Sequence, residues 1–143
     1  MFKILIVDPN DHFRRSLRKV LVNRFPFIDI QGAADAGEAS AMIQDCGPNL
    51  IFIEIQLPSE SGLDFARRIK SLHPDIVVVI LTSYDLPEYQ TAARESGIEH
   101  LVPKDDWSGE DMIDLVRTIL ADFDADNHDL KDRRQPQAYL PEY

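Results

Sequence analysis

The chain lacks most of the features that announce a chemistry outright. It has one cysteine, Cys46, among 143 residues, so no internal disulfide can form and an intracellular setting fits. It has no GxGxxG and no GxxxxGK[ST] stretch, which removes the usual dinucleotide and P-loop readings. The four histidines, His12, His73, His100 and His128, have no metal-ligand spacing and read as surface residues. Long hydrophobic runs are missing as well. The N-terminal "MFKILIVD" is too short for a signal peptide or a membrane span, and no later segment approaches membrane length. The expectation is a soluble cytoplasmic protein. Basic residues are outnumbered 15 to 25, for a formal net charge of −10. That balance speaks against nonspecific binding of nucleic acid or of an anionic membrane by this chain.

What the chain does have is 44% hydrophobic residues, enough to bury a core, arranged in two alternating periods. "KILIV" (3–7), "IDIQGA" (28–33), "LIFIEI" (50–55), "IVVVIL" (76–81) and "HLV" (100–102) are short apolar runs of the kind that form strands. The second is the most polar and reads as an edge strand; the fourth reads as central or next to central. Between them, residues 11–24, 36–46, 63–73 and 85–97 carry helical spacing, and residues 107–123 form a last helix. On the first helix Phe13, Leu17, Val20, Leu21 and Arg24 share one side, and Asp11 is the N-cap candidate. Asp85 and Glu88 can form a capping box for the fourth helix, with Pro87 in its first turn. Five βα repeats imply an α/β, doubly wound, flavodoxin-like fold, (βα)5, with a parallel five-stranded sheet in the order 2-1-3-4-5. A single domain is expected over 1–123, followed by a polar C-terminal tail or linker over 124–143.

In an open parallel sheet, ligands bind beyond the carboxyl ends of the strands. Asp8 and Pro9 follow the first strand, and Glu54 ends the third, with Pro58 and Gly62 marking the loop after it. Thr82 and Ser83 follow the fourth strand and Lys104 the fifth. Strands one and three flank the switch point, which puts Asp8 beside Glu54. A carboxylate in so apolar a strand needs a partner or a job.

"ILIVD", "LIFIEIQLPSESGLDF", "VVVILTSYD" and "HLVPKD" together resemble the receiver domain of two-component response regulators, from about residue 2 to 123. The stretch from Thr82 to Asp105 is most similar to receivers that precede a helix-turn-helix output domain. The resemblance implies a switch in which an aspartate at the end of strand three takes a phosphoryl group from a histidine kinase. It also implies that two acids after strand one help hold magnesium, and that a hydroxyl and a lysine bind the phosphoryl oxygens. Asp8, Thr82 and Lys104 match that pattern. Pro9 stands at the second acidic position, Glu54 at the phosphoacceptor position, and Leu101 where a switching aromatic is usual. Three of the six positions depart from the pattern.

Each departure has a physical consequence. Magnesium wants oxygen ligands in tight octahedral geometry. With Pro9 offering none, Asp8 and Glu54 should bind metal weakly or not at all, so no cofactor is expected. Glu54 carries its carboxylate one methylene further out, roughly 1.5 Å, and a misplacement of about 1 Å can cost on the order of 100-fold in a positioned reaction. The extra length also lets Glu54 reach Lys104, where its charge imitates a phosphoryl group in part. The reading is a non-enzymatic, degenerate receiver that acts by protein–protein contact. Its partner is a histidine kinase or a downstream target, and the resemblance admits a homodimer through the fourth helix, fifth strand and last helix. Three alternatives stay open. One is weak phosphoacceptor activity at Glu54, and another is an enzyme on the same fold. The third is the receiver half of a helix-turn-helix regulator whose output domain lies outside this chain.

Overall fold

The computed structural model describes residues 1–83, 86–105 and 108–139, with side chains described as far as residue 125. The elements are β1 (Lys3–Val7), α1 (Asp11–Arg24), β2 (Asp29–Ala33), α2 (Ala36–Cys46), β3 (Leu50–Glu54), α3 (Gly62–Leu72), β4 (Val77–Thr82), α4 (Pro87–Glu95), β5 (His100–Pro103) and α5 (Gly109–Tyr139). The five strands form one sheet in the order β2-β1-β3-β4-β5, and every pair is parallel. The expected fold and strand order are therefore the observed ones. β2, with the polar sequence DIQGA, is an edge strand. β3 takes the centre with all five residues buried, and β4 lies beside it.

Period-two alternation sorts the strand side chains onto two faces. Leu5, Val7, Ile51, Ile53, Val78 and Ile80 join Ala39 and Ile43 of α2, Phe65, Ala66 and Ile69 of α3 and Ala93 of α4 in one core cluster. The intervening residues, Ile4, Ile6, Leu50, Phe52, Val79 and Leu81, are also buried and face the other way. On that side α1 buries Leu17 and Leu21 completely. At about 25 cal/mol per Å² of apolar surface, each fully buried aliphatic side chain is worth about 1.5–3 kcal/mol. Both faces of the sheet therefore contribute.

The helix ends show local corrections. Asn10, not Asp11, caps α1, its side chain accepting from the Phe13 N–H. Asp11 is the first helical residue and pairs with Arg14 and Arg15. α2 ends on Gly47 at φ 58°, a left-handed position that glycine adopts without strain. α4 starts with Leu86 as N-cap and Pro87 at its first position, with no side-chain cap; Tyr84 and Asp85, and with Asp85 the expected capping box, lie outside the described residues, as does Trp107.

The chain divides into two compact units, Met1–Gly109 and the segment from Glu110 onward. In the second, Met112, Ile113, Val116 and Ile119 are buried at helical spacing. The helix does not stop at 123 but runs to Tyr139, through residues expected as a polar tail or linker. From Glu110 to Gln135 there is no glycine or proline, so once started the helix meets no breaker there.

Candidate functional site at the carboxyl edge of the sheet

Register brings the two carboxylates together. β1 and β3 pair as Ile4↔Leu50, Ile6↔Phe52 and Val7↔Ile53. One step further along both strands, Asp8 comes opposite Glu54. Both continue the row that faces α1, and both are buried, at 1% and 6% exposure. Lys104 arrives from the end of β5, where Thr82 pairs with Pro103 and the Lys104 N–H donates to the Thr82 carbonyl at 2.6 Å. Its Nζ lies 2.7 Å from Asp8 Oδ2 and 3.7 Å from Glu54 Oε1.

The expected reach of Glu54 to Lys104 is present as an ion pair, but the hydrogen bond goes to Asp8. The other Glu54 oxygen, Oε2, accepts from the Ile55 N–H at 3.1 Å. Asp8 is the better-held group. Its N–H donates to the Ala33 carbonyl, Oδ1 accepts from the Asn10 N–H at 2.8 Å, and its carbonyl accepts from Arg14 Nη1. Burial pushes the Glu54 carboxyl above its usual range; Lys104 and the Ile55 N–H oppose the rise, and the nearby Asp8 charge adds to it.

Thr82 sits fully buried at the end of β4. Leu101 pairs with Ile80 in β5 and packs half-buried against the core cluster, on the wall of a 450 Å³ surface groove shared with Gln90, Ala93, Arg94, Gly97, Ile98 and Glu99.

Two contributors escaped the sequence reading. Phe13, counted there with the core side of α1, is half-buried, and its ring centroid lies 4.3 Å from Lys104 Nζ, in cation–π range. Its place in the first turn of α1, beside the strand ends, is the one signal that separates it from Leu17. Gly62, which the sequence marks only as a loop residue, is the other. A Cβ there would sit 2.0 Å from the Glu54 carbonyl oxygen. The loop folds back on β3 through the Gly62 N–H, which donates to the Ile55 carbonyl at 2.7 Å. Gly62 is thus what allows α3 to start against the strand end that carries Glu54.

As a metal site the donor set does not fit. Magnesium favours six oxygens at about 2.0–2.1 Å. Here both Asp8 oxygens already accept hydrogen bonds, and Pro9 has no side-chain oxygen to offer. An ammonium lies beside both carboxylates. Among the described residues no three His, Cys, Asp or Glu side chains gather in a way that would hold an ion.

The family model for the response regulator receiver domain matches residues 4–117, and the chain belongs to that family. It is 34% identical over 137 residues to an uncharacterized response regulatory protein of Staphylococcus epidermidis, covering 90% of this chain and 52% of the relative. It is 35% identical over 128 residues to the transcriptional regulatory protein HptR of Staphylococcus aureus, covering 84% and 48%. The chain spans about half the length of the curated relatives it matches. Among solved structures, the CheY-like receiver domain protein of Methanospirillum hungatei superposes with a TM-score of 0.80 at 24% identity, covering 88% of this chain and 98% of that one, a likeness of fold. A LuxR-family two-component response regulator from Aurantimonas superposes at 0.74 with 26% identity, covering 83% and 84%. Receivers are signalling modules that meet kinases and output partners in two-component systems. Among the described residues no helix is long and apolar enough to cross a membrane.

Proposed function

We propose that this receiver signals by protein–protein contact without being phosphorylated, and that Asp8, Lys104 and Glu54 hold it in one preferred state. The observation that carries the reading is the shared ammonium, with Lys104 2.7 Å from Asp8 and 3.7 Å from Glu54. The lysine that the family pattern reserves for phosphoryl oxygens already has an anion. Glu54 supplies a second, incomplete one, with a charge of about −1 against the roughly −1.5 to −2 of a phosphoryl group. Thr82 and Leu101 keep the hydroxyl and aromatic positions by analogy only. Metal binding at Asp8 and Glu54 is weak or absent in this reading, and no cofactor takes part. The partner is a kinase or a downstream target met in the cytoplasm. The groove beside α4 and β5 favours that face for contact, including contact with a second copy.

The test is incubation with magnesium and acetyl phosphate, followed by intact mass and mapping of any adduct. The expected result is unmodified protein, whereas an adduct on Glu54 would overturn the reading. The double variant Glu54→Asp/Pro9→Asp should gain both magnesium binding and a phosphoryl group that hydroxylamine removes. A second reading rests on length: this chain covers 48% of HptR, as the receiver half of a transcriptional regulator would. An open reading frame running on into a helix-turn-helix segment would establish it. At −10 this chain alone is not the DNA-binding part.

A further inference from the structure

The charge of this protein is unevenly distributed. α1 carries Arg14, Arg15, Arg18, Lys19 and Arg24 against the single carboxylate Asp11, a net +4. The rest of a chain totalling −10 therefore carries −14. A third of the 15 Lys and Arg residues stand in 14 positions. Part of this basic face is concave. Between α1 and the edge strand β2 lies a slot of 180 Å³ lined by Asp11, Arg14, Arg15, Arg18, Gln31 and Gly32, with Ile6 at its base.

The slot's form follows from its residues. Gly32 has no side chain to fill it; a Cβ there would meet Arg14 Cδ at 3.2 Å. The aliphatic stems of three arginines make apolar walls, while the charged heads of Arg15 and Arg18 stay near water. Asp11 neutralises part of Arg14 and Arg15. Arg18 spends only its Nε on the Ile30 carbonyl, at 3.4 Å, and Arg15 is 76% exposed. The volume is below the about 300–1,000 Å³ of pockets for drug-sized ligands, so it has room for one side chain. β2 has a sheet neighbour on one side only, and strand edges attract extended chains.

We propose that this slot docks an acidic, extended segment of a partner protein, seating one apolar side chain between the arginine stems while flanking carboxylates meet Arg15 and Arg18. Charge complementarity selects the occupant: the cationic rim attracts carboxylates, while two copies of a chain carrying −10 repel one another overall. The site is separate from Glu54 and stands or falls independently of the phosphorylation reading.

The test uses the full chain at low salt and a fluorescein-labelled peptide of Asp and Glu with one central leucine, followed by anisotropy. Wild-type protein should bind it, and replacing the leucine by glycine should weaken binding about fivefold. Arg15→Gln/Arg18→Gln should weaken it about tenfold, the size expected of two charge contacts. Arg15→Lys/Arg18→Lys should keep most of the affinity and controls for folding. Lys19→Gln removes a charge from α1 but not from the slot, and should change affinity less than twofold. Equal loss in Lys19→Gln would reduce the effect to diffuse attraction and overturn the proposal. So would displacement of the peptide by inorganic phosphate at the peptide's own concentration, which would mark a bare anion site. Self-association abolished by Arg15→Gln/Arg18→Gln would also overturn it, by making a second copy the occupant.

Discussion

Asp8 and Glu54 stand one register step beyond the same strand pair, yet their surroundings differ. The residues after β1 leave none of the polar atoms of Asp8 unmatched: amide, carbonyl and both carboxylate oxygens have partners. After β3 the chain takes a longer loop, and Glu54 is left with one adjacent N–H and a 3.7 Å ion pair. Both groups are buried. The difference shows that burial and an available cation do not divide a pocket evenly. The carboxylate on the shorter side chain, fixed by its own loop, takes the hydrogen bond. The longer one keeps the unrelieved cost of desolvation, which is why its carboxyl holds its proton more tightly than usual.

The largest way to break the comparison acts on backbone. Gly62→Ala would place a methyl 2.0 Å from the Glu54 carbonyl, where neither β3 nor the start of α3 can yield without losing ladder bonds. We expect a loss of about 3 kcal/mol or more in urea unfolding. In the same variant, amide protection should fall at Ile55 and Gly62 while the Asp8–Asn10 turn keeps its own. Equal loosening of both loops would mean that the two carboxylates are not separately supported.

Next comes the pair of neutral isosteres. Asp8→Asn takes away the hydrogen-bonded partner of a largely buried ammonium and should cost about 3 kcal/mol at neutral pH. Glu54→Gln leaves Lys104 on Asp8 and should cost no more than about 1 kcal/mol. If Glu54→Gln proves the costlier of the two, Lys104 belongs to Glu54 in solution and the assignment made from 2.7 and 3.7 Å is reversed. Smaller again is Phe13→Leu. It removes the ring 4.3 Å from the ammonium but keeps an apolar side chain, so about 0.5–1 kcal/mol is expected. A double-mutant cycle with Lys104→Met should recover most of that as coupling.

The parts of this molecule that follow from periodicity were legible in its sequence. Continuous apolar runs separated by helical spacing gave the five repeats, and the right-handed crossover rule leaves little freedom in where Asp8, Glu54, Thr82 and Lys104 emerge. The edge position of β2 was visible in DIQGA. What could not be read depends on distances below about 1 Å or on a choice between neighbours. Asn10 and Asp11 are both good caps, and only the backbone decides. Phe13 shares the helical phase of Leu17 and Leu21, so period alone assigns it to the core, although the first turn of α1 lies beside the strand ends. Lys104's preference for Asp8 comes from three side chains competing for one position. α5's extension to Tyr139 was hidden because the apolar pattern fades after Phe123 while the residues stay tolerant of helix.

The smallest effect is also the most direct reading of the difference between the two acids. The folded-state pKa of Glu54 is raised above its ordinary value of 4.5, so in the window between those two values the native protein binds more protons than the unfolded chain. Stability from this group is then fully present below about pH 4.5 and is lost as pH rises through the folded pKa, after which it levels off. Wild-type stability minus that of Glu54→Gln, from urea titrations between about pH 4 and 7, should therefore decline with rising pH. Subtraction cancels the other titrating groups, provided that Asp8 and Lys104 keep their contact in both proteins. A difference that climbs instead would mean that the attraction of Lys104 outweighs burial. Glu54 would then be a settled ion-pair partner like Asp8, and the asymmetry between the two loops would have no energetic content.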